Sequence, residues 1–447
     1  MLACADDEYL ISDSQTKLQA LLNIAEFYGA MYRVTYGAMK TKVTVIGSPA
    51  DMEYYSDVNP WHLNGQKVKV TVDNDHLGQI VSGVDQELKN IESRMDKGRK
   101  NLFGMLGPAF AQKCLLSPVL KFHLFRTYTC PIVRSGLASF SLRSESLNTL
   151  AIFHRKILRS ILSLSKNATI PAIHFLLGEL PIEAQIHKDI FSLFYSVWRN
   201  PGSKIHKIVK YLLQNSPKNS RTWSIHIRNL SQKYKIEDPL RSLERDPPEK
   251  TQFKECIQTK ICAFYEKNLR ESAKTNSKMT YFNVNLTGLR GRPHPALLGL
   301  VTTKQVKNSR IHLKMLTGDY LTYSVKATQS GGSPSCRCCS PQTPEKEDIS
   351  HILAKCSKYS DIRKRMLPDY QVLCIQSKTR IDFDAVICNS NVLTQFILDP
   401  SSFNLENRVN VCDPVLPSLF QLSRDYCNAI HVRRMKIIQT KGSEETK

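Results

Sequence analysis

No run of apolar residues in this chain approaches the ~20 needed to cross a bilayer as a helix. The longest weakly charged stretch, residues 167–178, is far shorter and is broken by Pro171. A signal-peptide pattern is missing, because Met1 leads almost at once to Asp6 and Asp7. There is no lipidation signal and no amphipathic basic helix of the membrane-surface type. The expectation is an intracellular protein with no membrane partner, nucleus and cytoplasm not being distinguished. Also missing are a GxxxxGK phosphate loop, a Ser-His-Asp arrangement with a local signature, and a nuclease-type carboxylate cluster. The chain has no internal repeat and no low-complexity tract beyond residues 441–447. Acidic residues are scarce: 40 Asp and Glu stand against 62 Lys and Arg, a net charge of +22. A basic surface of that size favours polyanions, because binding them releases condensed counterions. The 13 cysteines are odd in number and scattered, so they read as reduced thiols rather than a disulfide framework.

What is present begins with Cys4-Ala5-Asp6-Asp7, two adjacent carboxylates between the apolar runs Met1 to Ala5 and Tyr9-Leu10-Ile11. Apolar residues on both sides of a polar turn suggest a β-hairpin with the carboxylates at its tip, where they can bind a hard divalent cation through oxygen. Taken alone, the pair has a commonplace reading as a surface turn. Ser12-Asp13-Ser14 then signals a helix start, ahead of an amphipathic stretch with Leu18, Leu21, Leu22, Ala25 and Phe27. Strands are expected at residues 34–36, 40–47, 67–72 and 76–81, with a turn at Gly37-Ala38-Met39.

Farther along, helical spacing is clear over residues 91–105, over 117–137 with a break at Pro131, over 147–164 and over 186–198. In the third of these, Leu147, Leu150, Phe153, Ile157 and Ile161 share one side, and Arg155, Lys156 and Arg159 lie around another. Such a cluster suits a nucleic-acid backbone; a solvated helix face is the plain alternative. Lys304, Lys307, Arg310 and Lys314 recur at helical spacing beside Ile311, Leu313 and Leu316.

The sharpest spacing is C-x2-C-x11-H-x4-C, formed by Cys336, Cys339, His351 and Cys356. Two thiolates on a tight turn, with a His and a Cys about one helical turn apart beyond a short loop, can close a tetrahedral Zn²⁺ site. A helix over residues 349–353 is expected to carry His351. Cys338 is an alternative to Cys336 or Cys339 as ligand, and free cysteines in a mobile loop are the plain reading.

Together, these features resemble the C-terminal part of a reverse transcriptase of a non-LTR (LINE-type) retrotransposon. The aromatic-Ala-Asp-Asp box of that family matches Cys4-Ala5-Asp6-Asp7, with Cys4 in the aromatic place. Its Asn-x-x-Lys-Thr-Lys segment matches residues 37–42, with Gly37 for Asn, and its aromatic-Leu-Gly strand matches His76-Leu77-Gly78. Many such polymerases carry a Cys-Cys-His-Cys knuckle downstream of the thumb, with an acidic residue before the histidine, as Glu347 and Asp348 stand here. The resemblance implies an RNA-directed DNA polymerase in which Asp6 and Asp7 bind Mg²⁺ and Lys40 or Lys42 protonates the leaving pyrophosphate. It implies RNA, RNA–DNA hybrid or DNA as partner.

The expected fold is α+β. A partial palm of β-hairpins and a helix (residues 1–83) precedes a helical thumb (84–200) and a helical connection (201–330). The zinc knuckle (331–360) and a helical C-terminal segment (361–447) follow. Because fingers and a first catalytic Asp are not among these residues, the chain alone is expected to be inactive. A non-enzymatic RNA- or DNA-binding remnant, or a zinc-knuckle adaptor, is the alternative.

Overall fold

The computed structural model describes residues 2–4, 7–47, 51, 53–55, 60–110, 116–339, 345–377, 381–403 and 415–444. Helices dominate and the sheets are small, an α+β composition. Contacts divide the chain into two units, Met1–Arg94 and Met95–Lys447.

In the first unit, β1 (Leu2–Cys4) pairs antiparallel with β2 (Asp7–Tyr9), and the register Leu2↔Tyr9 to Cys4↔Asp7 makes a hairpin. Asp6 lies outside the described residues, as does the side chain of Asp7. Helix α1 (Gln15–Met31) starts where the sequence signals it. The Ser14 hydroxyl accepts the Lys17 N–H at 3.3 Å, satisfying a donor that the first turn leaves without a helical partner. Leu22 from α1 joins Ala38, Val43, Trp61, Leu63 and Val68 in the core of the unit.

The strands are shorter than the hydrophobic pattern suggests, and each shortfall has a local cause. Residues 34–36 form no strand. The Tyr36 carbonyl is taken by Asn64 Nδ2 at 2.7 Å, and the Gly37 carbonyl accepts from Lys40 and Thr41 N–H, which closes a turn. Strand β3 therefore covers only Lys42–Thr44. Residues 62–67 fold into a second hairpin, β4 (His62–Leu63) with β5 (Gln66–Lys67), around Asn64-Gly65 at φ 48° and 71°. Asn-Gly with both residues at positive φ gives the type I′ turn whose twist suits two-residue hairpins. Val68 donates its N–H to the Trp61 carbonyl at 2.8 Å, so the expected strand over 67–72 divides there. Its second part, β6 (Lys69–Thr71), pairs with β3 in parallel. The expected strand over 76–81 is instead a hairpin, β7 (Asp73–His76) with β8 (Gln79–Ser82), turning at Leu77-Gly78 with φ 48° and 75°. The Asn90 side chain donates to the Ile80 carbonyl and accepts its N–H, acting as one more rung on the edge of β8.

Helix α2 (Gln86–Phe110) leads into the helical unit. There α3 (Pro118–Leu124) widens into a π-turn over Phe125–Thr129 before α4 (Cys130–Arg134). The cause is Pro131, whose ring would clash with an α-helical carbonyl four residues back; the extra residue per turn relieves that clash. Helix α5 (Ser144–Leu162) buries Leu150, Phe153, Ile157 and Ile161, as its periodicity predicts. Helix α6 (Ile170–Leu177) is buried throughout from Pro171 to Leu177, and α7 (Ile182–Trp198) packs on α5 and on the later helix over Lys250–Lys274. Between α6 and α7, Gly178 has φ 64°, and a Cβ there would lie 2.2 Å from the Arg292 carbonyl oxygen, so only glycine lets the 290–294 strap pass.

Helices α8 (Lys204–Asn215), α9 (Trp223–Lys233), α10 (Pro239–Leu243) and α11 (Lys250–Lys274) extend this layer. The final layer is built on α12 (Thr303–Leu316), which packs against α17 (Leu416–Glu444), with α13 (Tyr323–Ser330), α14 (Ser360–Gln376), α15 (Phe383–Ile387) and α16 (Ser390–Leu398). Polar groups key these helices together: Asn308 donates to Asp425, Tyr370 to Ser423, and His312 contacts the Leu398 carbonyl at 2.8 Å. No helix among the described residues is long and apolar enough to cross a membrane.

Candidate metal centre

Between α13 and α14 the chain makes a small ribbon. Ser335 bridges Lys346 antiparallel, Cys336 N–H donates to the Glu345 carbonyl at 2.7 Å, and Glu347 N–H donates to the Pro334 carbonyl at 2.9 Å. The ribbon sets Cys336 and Cys339 on a turn on one side and delivers the chain to His351 on the other. Asp348 caps the next turn by accepting the His351 N–H at 2.8 Å.

That turn is a π-turn, His351–Lys355, closed by Cys356 N–H on the His351 carbonyl at 2.8 Å, rather than the expected α-helix. The difference matters for chemistry. Residues five apart on an α-helix point about 140° away from each other, whereas the i→i+5 turn brings them close to the same face.

One ligand atom from each of Cys336, Cys339, His351 and Cys356 lies within 4.8 Å of every other, and three of the four residues are buried. A tetrahedral ion with Zn–S near 2.3 Å and Zn–N near 2.05 Å places sulfurs about 3.8 Å apart and sulfur and nitrogen about 3.6 Å apart. Here Cys339 Sγ stands 3.8 Å from Cys356 Sγ and 3.3 Å from His351 Nε2. The other imidazole nitrogen, Nδ1, is held by Glu345 Oε2 at 2.8 Å. That carboxylate fixes the ring so that Nε2 faces the sulfurs, the arrangement that orients histidine ligands of metal ions. The cluster thus has the donor set and spacing to hold a metal and is compatible with Zn²⁺.

Electrostatics agree. The Cys336 sulfur and the Glu345 carboxylate raise the proton affinity of His351, and burial raises that of the Cys339 thiol, with the Cys336 sulfur adding to it. A dication that binds here must displace those protons. Cys338 is not one of the four converging residues. Its sulfur lies 3.3 Å from the Tyr359 hydroxyl, and its thiol is held protonated by the Cys336 sulfur and by burial.

The centre is tied to the last helix. Glu347, fully buried, receives Arg434 of α17 in an ion pair and accepts the Tyr323 N–H at 3.0 Å. The Arg434 guanidinium also lies over the rings of Tyr320 and Tyr323. From α17, too, the Tyr426 hydroxyl donates to the Leu353 carbonyl in the π-turn at 2.6 Å. None of these partners has a local sequence signal. The sequence points to Glu347 and Asp348 as the acidic neighbours of the histidine, whereas Glu345 is the one that touches the imidazole.

Replacing Glu345 by Gln is expected to lower zinc affinity by about 10- to 100-fold while leaving the stoichiometry of one ion. Competition against a chromogenic chelator reads this directly, and an unchanged affinity would remove Glu345 from the site.

The other residues singled out by sequence are more dispersed. Lys40 is exposed in the turn closed on Gly37, and Lys42 is exposed on β3 opposite Lys69. On α5, Lys156 is exposed and Arg155 half-buried. Arg159 is engaged with its own chain, Nε and Nη2 donating to the Ala168 carbonyl at 3.1 and 2.9 Å. No protein-family model matches the chain, and no curated protein matches it.

Proposed function

We propose that the chain is a zinc-bearing, nucleic-acid-binding part of a retroelement reverse transcriptase, corresponding to the C-terminal portion of a non-LTR element. The observation that carries this reading is the convergence of Cys336, Cys339, His351 and Cys356 in the order of a Cys-Cys-His-Cys knuckle. Support comes from the excess of 62 basic over 40 acidic residues and from the short hairpin that carries Asp7 at the head of the chain. Four protein ligands leave no open position for a catalytic water, so the zinc has a structural role. In this reading the Mg²⁺ ligands are Asp6 and Asp7, and Lys40 or Lys42 serves the leaving pyrophosphate. Phosphate contacts come from Arg155 and Lys156, with Arg159 fixing the turn behind them.

The test is binding of single-stranded RNA and of RNA–DNA hybrid across a salt series. Affinity is expected to fall steeply as salt rises, and the Arg155→Ala/Lys156→Ala variant is expected to flatten the log–log slope by about 1 to 2. Salt-independent or absent binding would overturn the reading.

A further inference from the structure

A second feature lies beside the knuckle. A cleft of ≈ 550 Å³ opens between the end of α12, the start of α13 and α17, with Tyr320, Tyr323 and Arg434 among its lining residues. Three lysines from separate segments also line it: Lys278, Lys314 at the end of α12, and Lys326 on α13. Its one acidic lining residue, Asp319, accepts both the N–H and the hydroxyl of Ser165, so three lysines share the cleft with a single carboxylate. Lys278 donates to the Asn167 carbonyl at 3.2 Å, a contact that leaves its charge unbalanced. Among the described residues no ion pair neutralises Lys314 or Lys326. The arginine in the wall, Arg434, is balanced by Glu347 and so serves as structure. Burial keeps His431 in the same wall short of protons, with Arg434 and Lys314 adding to the effect, as a positive field requires.

Between the lysines the surface is apolar: Leu321 is exposed, and Val325 and Ile311 are half-buried. A cationic rim around an apolar floor fits a ligand with phosphates on its edge and less polar matter between them. The Tyr323 ring is already packed by two guanidinium groups, Arg337 at 5.1 Å and Arg434 at 5.5 Å from its centroid, which compete with a stacking base. Recognition here therefore acts on phosphate and is indifferent to base.

We propose that Lys278, Lys314 and Lys326 form a binding cleft for the phosphodiester backbone of single-stranded nucleic acid, with its wall held in place by the zinc knuckle. This rests on the reading of the chain as a nucleic-acid binder and names the surface that does the binding. The link to the knuckle is direct: Arg337, next to the ligand Cys336, packs on Tyr323, and Glu347 holds Arg434.

The experiment uses the full zinc-loaded chain and a fluorescein-labelled single-stranded RNA, read by fluorescence anisotropy over a salt series. Lys278→Ala/Lys314→Ala/Lys326→Ala is expected to bind about tenfold or more weaker, with a log–log salt slope smaller by about 2, three contacts at about 0.7 each. A control that removes equal charge elsewhere, Lys204→Ala/Lys207→Ala/Lys254→Ala, is expected to change both much less. The triple Lys→Arg exchange in the cleft is expected to keep binding, which separates loss of charge from loss of fold. Equal losses in cleft and control variants would overturn the proposal, as would an unchanged cleft variant; if Arg155→Ala/Lys156→Ala then still weakens binding, the wider reading stands. Displacement of the RNA by inorganic phosphate or ATP at low concentration would replace the backbone with a small-anion pocket. Failure of the parent chain to bind any RNA would remove both readings.

Discussion

The parent protein is expected to carry one zinc ion per molecule, and exchange of Cys356 for serine is expected to strip it. Serine keeps the size of the side chain and loses the soft thiolate. The Cys356 sulfur is 3.8 Å from that of Cys339, at the separation that a shared tetrahedral ion would set. Ile352 and Leu353 anchor the turn after His351 in the core, whereas the Cys336–Cys339 turn is joined to it through the converging ligand atoms, so loss of a bound ion is expected to loosen that turn first. Apparent binding energies for structural zinc in small modules are about 10–16 kcal/mol near neutral pH. Elemental analysis of the purified parent and variant reads the stoichiometry, and proteolysis of the 331–360 segment reads the order. Parent protein free of zinc after metal-replete purification would remove the knuckle. Acid works in the same direction as the substitution: Cys336 and Glu345 raise the proton affinity of His351, so protons compete with the ion and zinc affinity falls as pH is lowered.

The second large effect concerns Arg434. Replacing it with Met leaves the Glu347 carboxylate in a dry interior with the Tyr323 N–H as its remaining partner in this network. Removing one member of a buried ion pair costs about 3–5 kcal/mol, because the other charge stays desolvated and unmatched. Converting both, Glu347→Gln with Arg434→Met, is expected to recover most of that loss: the amide oxygen still accepts from Tyr323, and no charge is stranded. Urea unfolding of the two variants measures the difference. A single variant within about 1 kcal/mol of the parent, near the value of an exposed pair, would show that the pair is solvated.

What could be read from sequence follows from how local each interaction is. The convergence of Cys336, Cys339, His351 and Cys356 is legible because all four lie in one short stretch of chain at a spacing that suits chelation. Helices α5 and α7 were legible because each buries a continuous stripe with the helical period. The small strands were less so. Positive φ at Leu77, a residue that rarely adopts it, converts what looks like one strand over 76–81 into two. Asn64-Gly65, with both residues at positive φ, is a two-residue hairpin signal outside the expected strands. Sequence gave no sign of the π-turn at His351, although the five-residue step from histidine to cysteine is what it accommodates. The charge of Arg159 is visible in sequence, whereas the Ala168 carbonyl to which it donates is not. The partners of Glu347 and Leu353 lie 87 and 73 residues away on α17, beyond the reach of any local pattern.

That distance has a consequence during synthesis. Cys336, Cys339, His351 and Cys356 emerge from the ribosome together and can converge while α17 is still unmade. Until Arg434 follows, the Glu347 carboxylate lacks its counter-ion and must stay in contact with water, so this segment cannot yet settle into its final seat. The C-terminal helix is therefore the latch that completes this layer. A nascent or prematurely terminated chain that ends before it would have the four residues gathered without a finished interior.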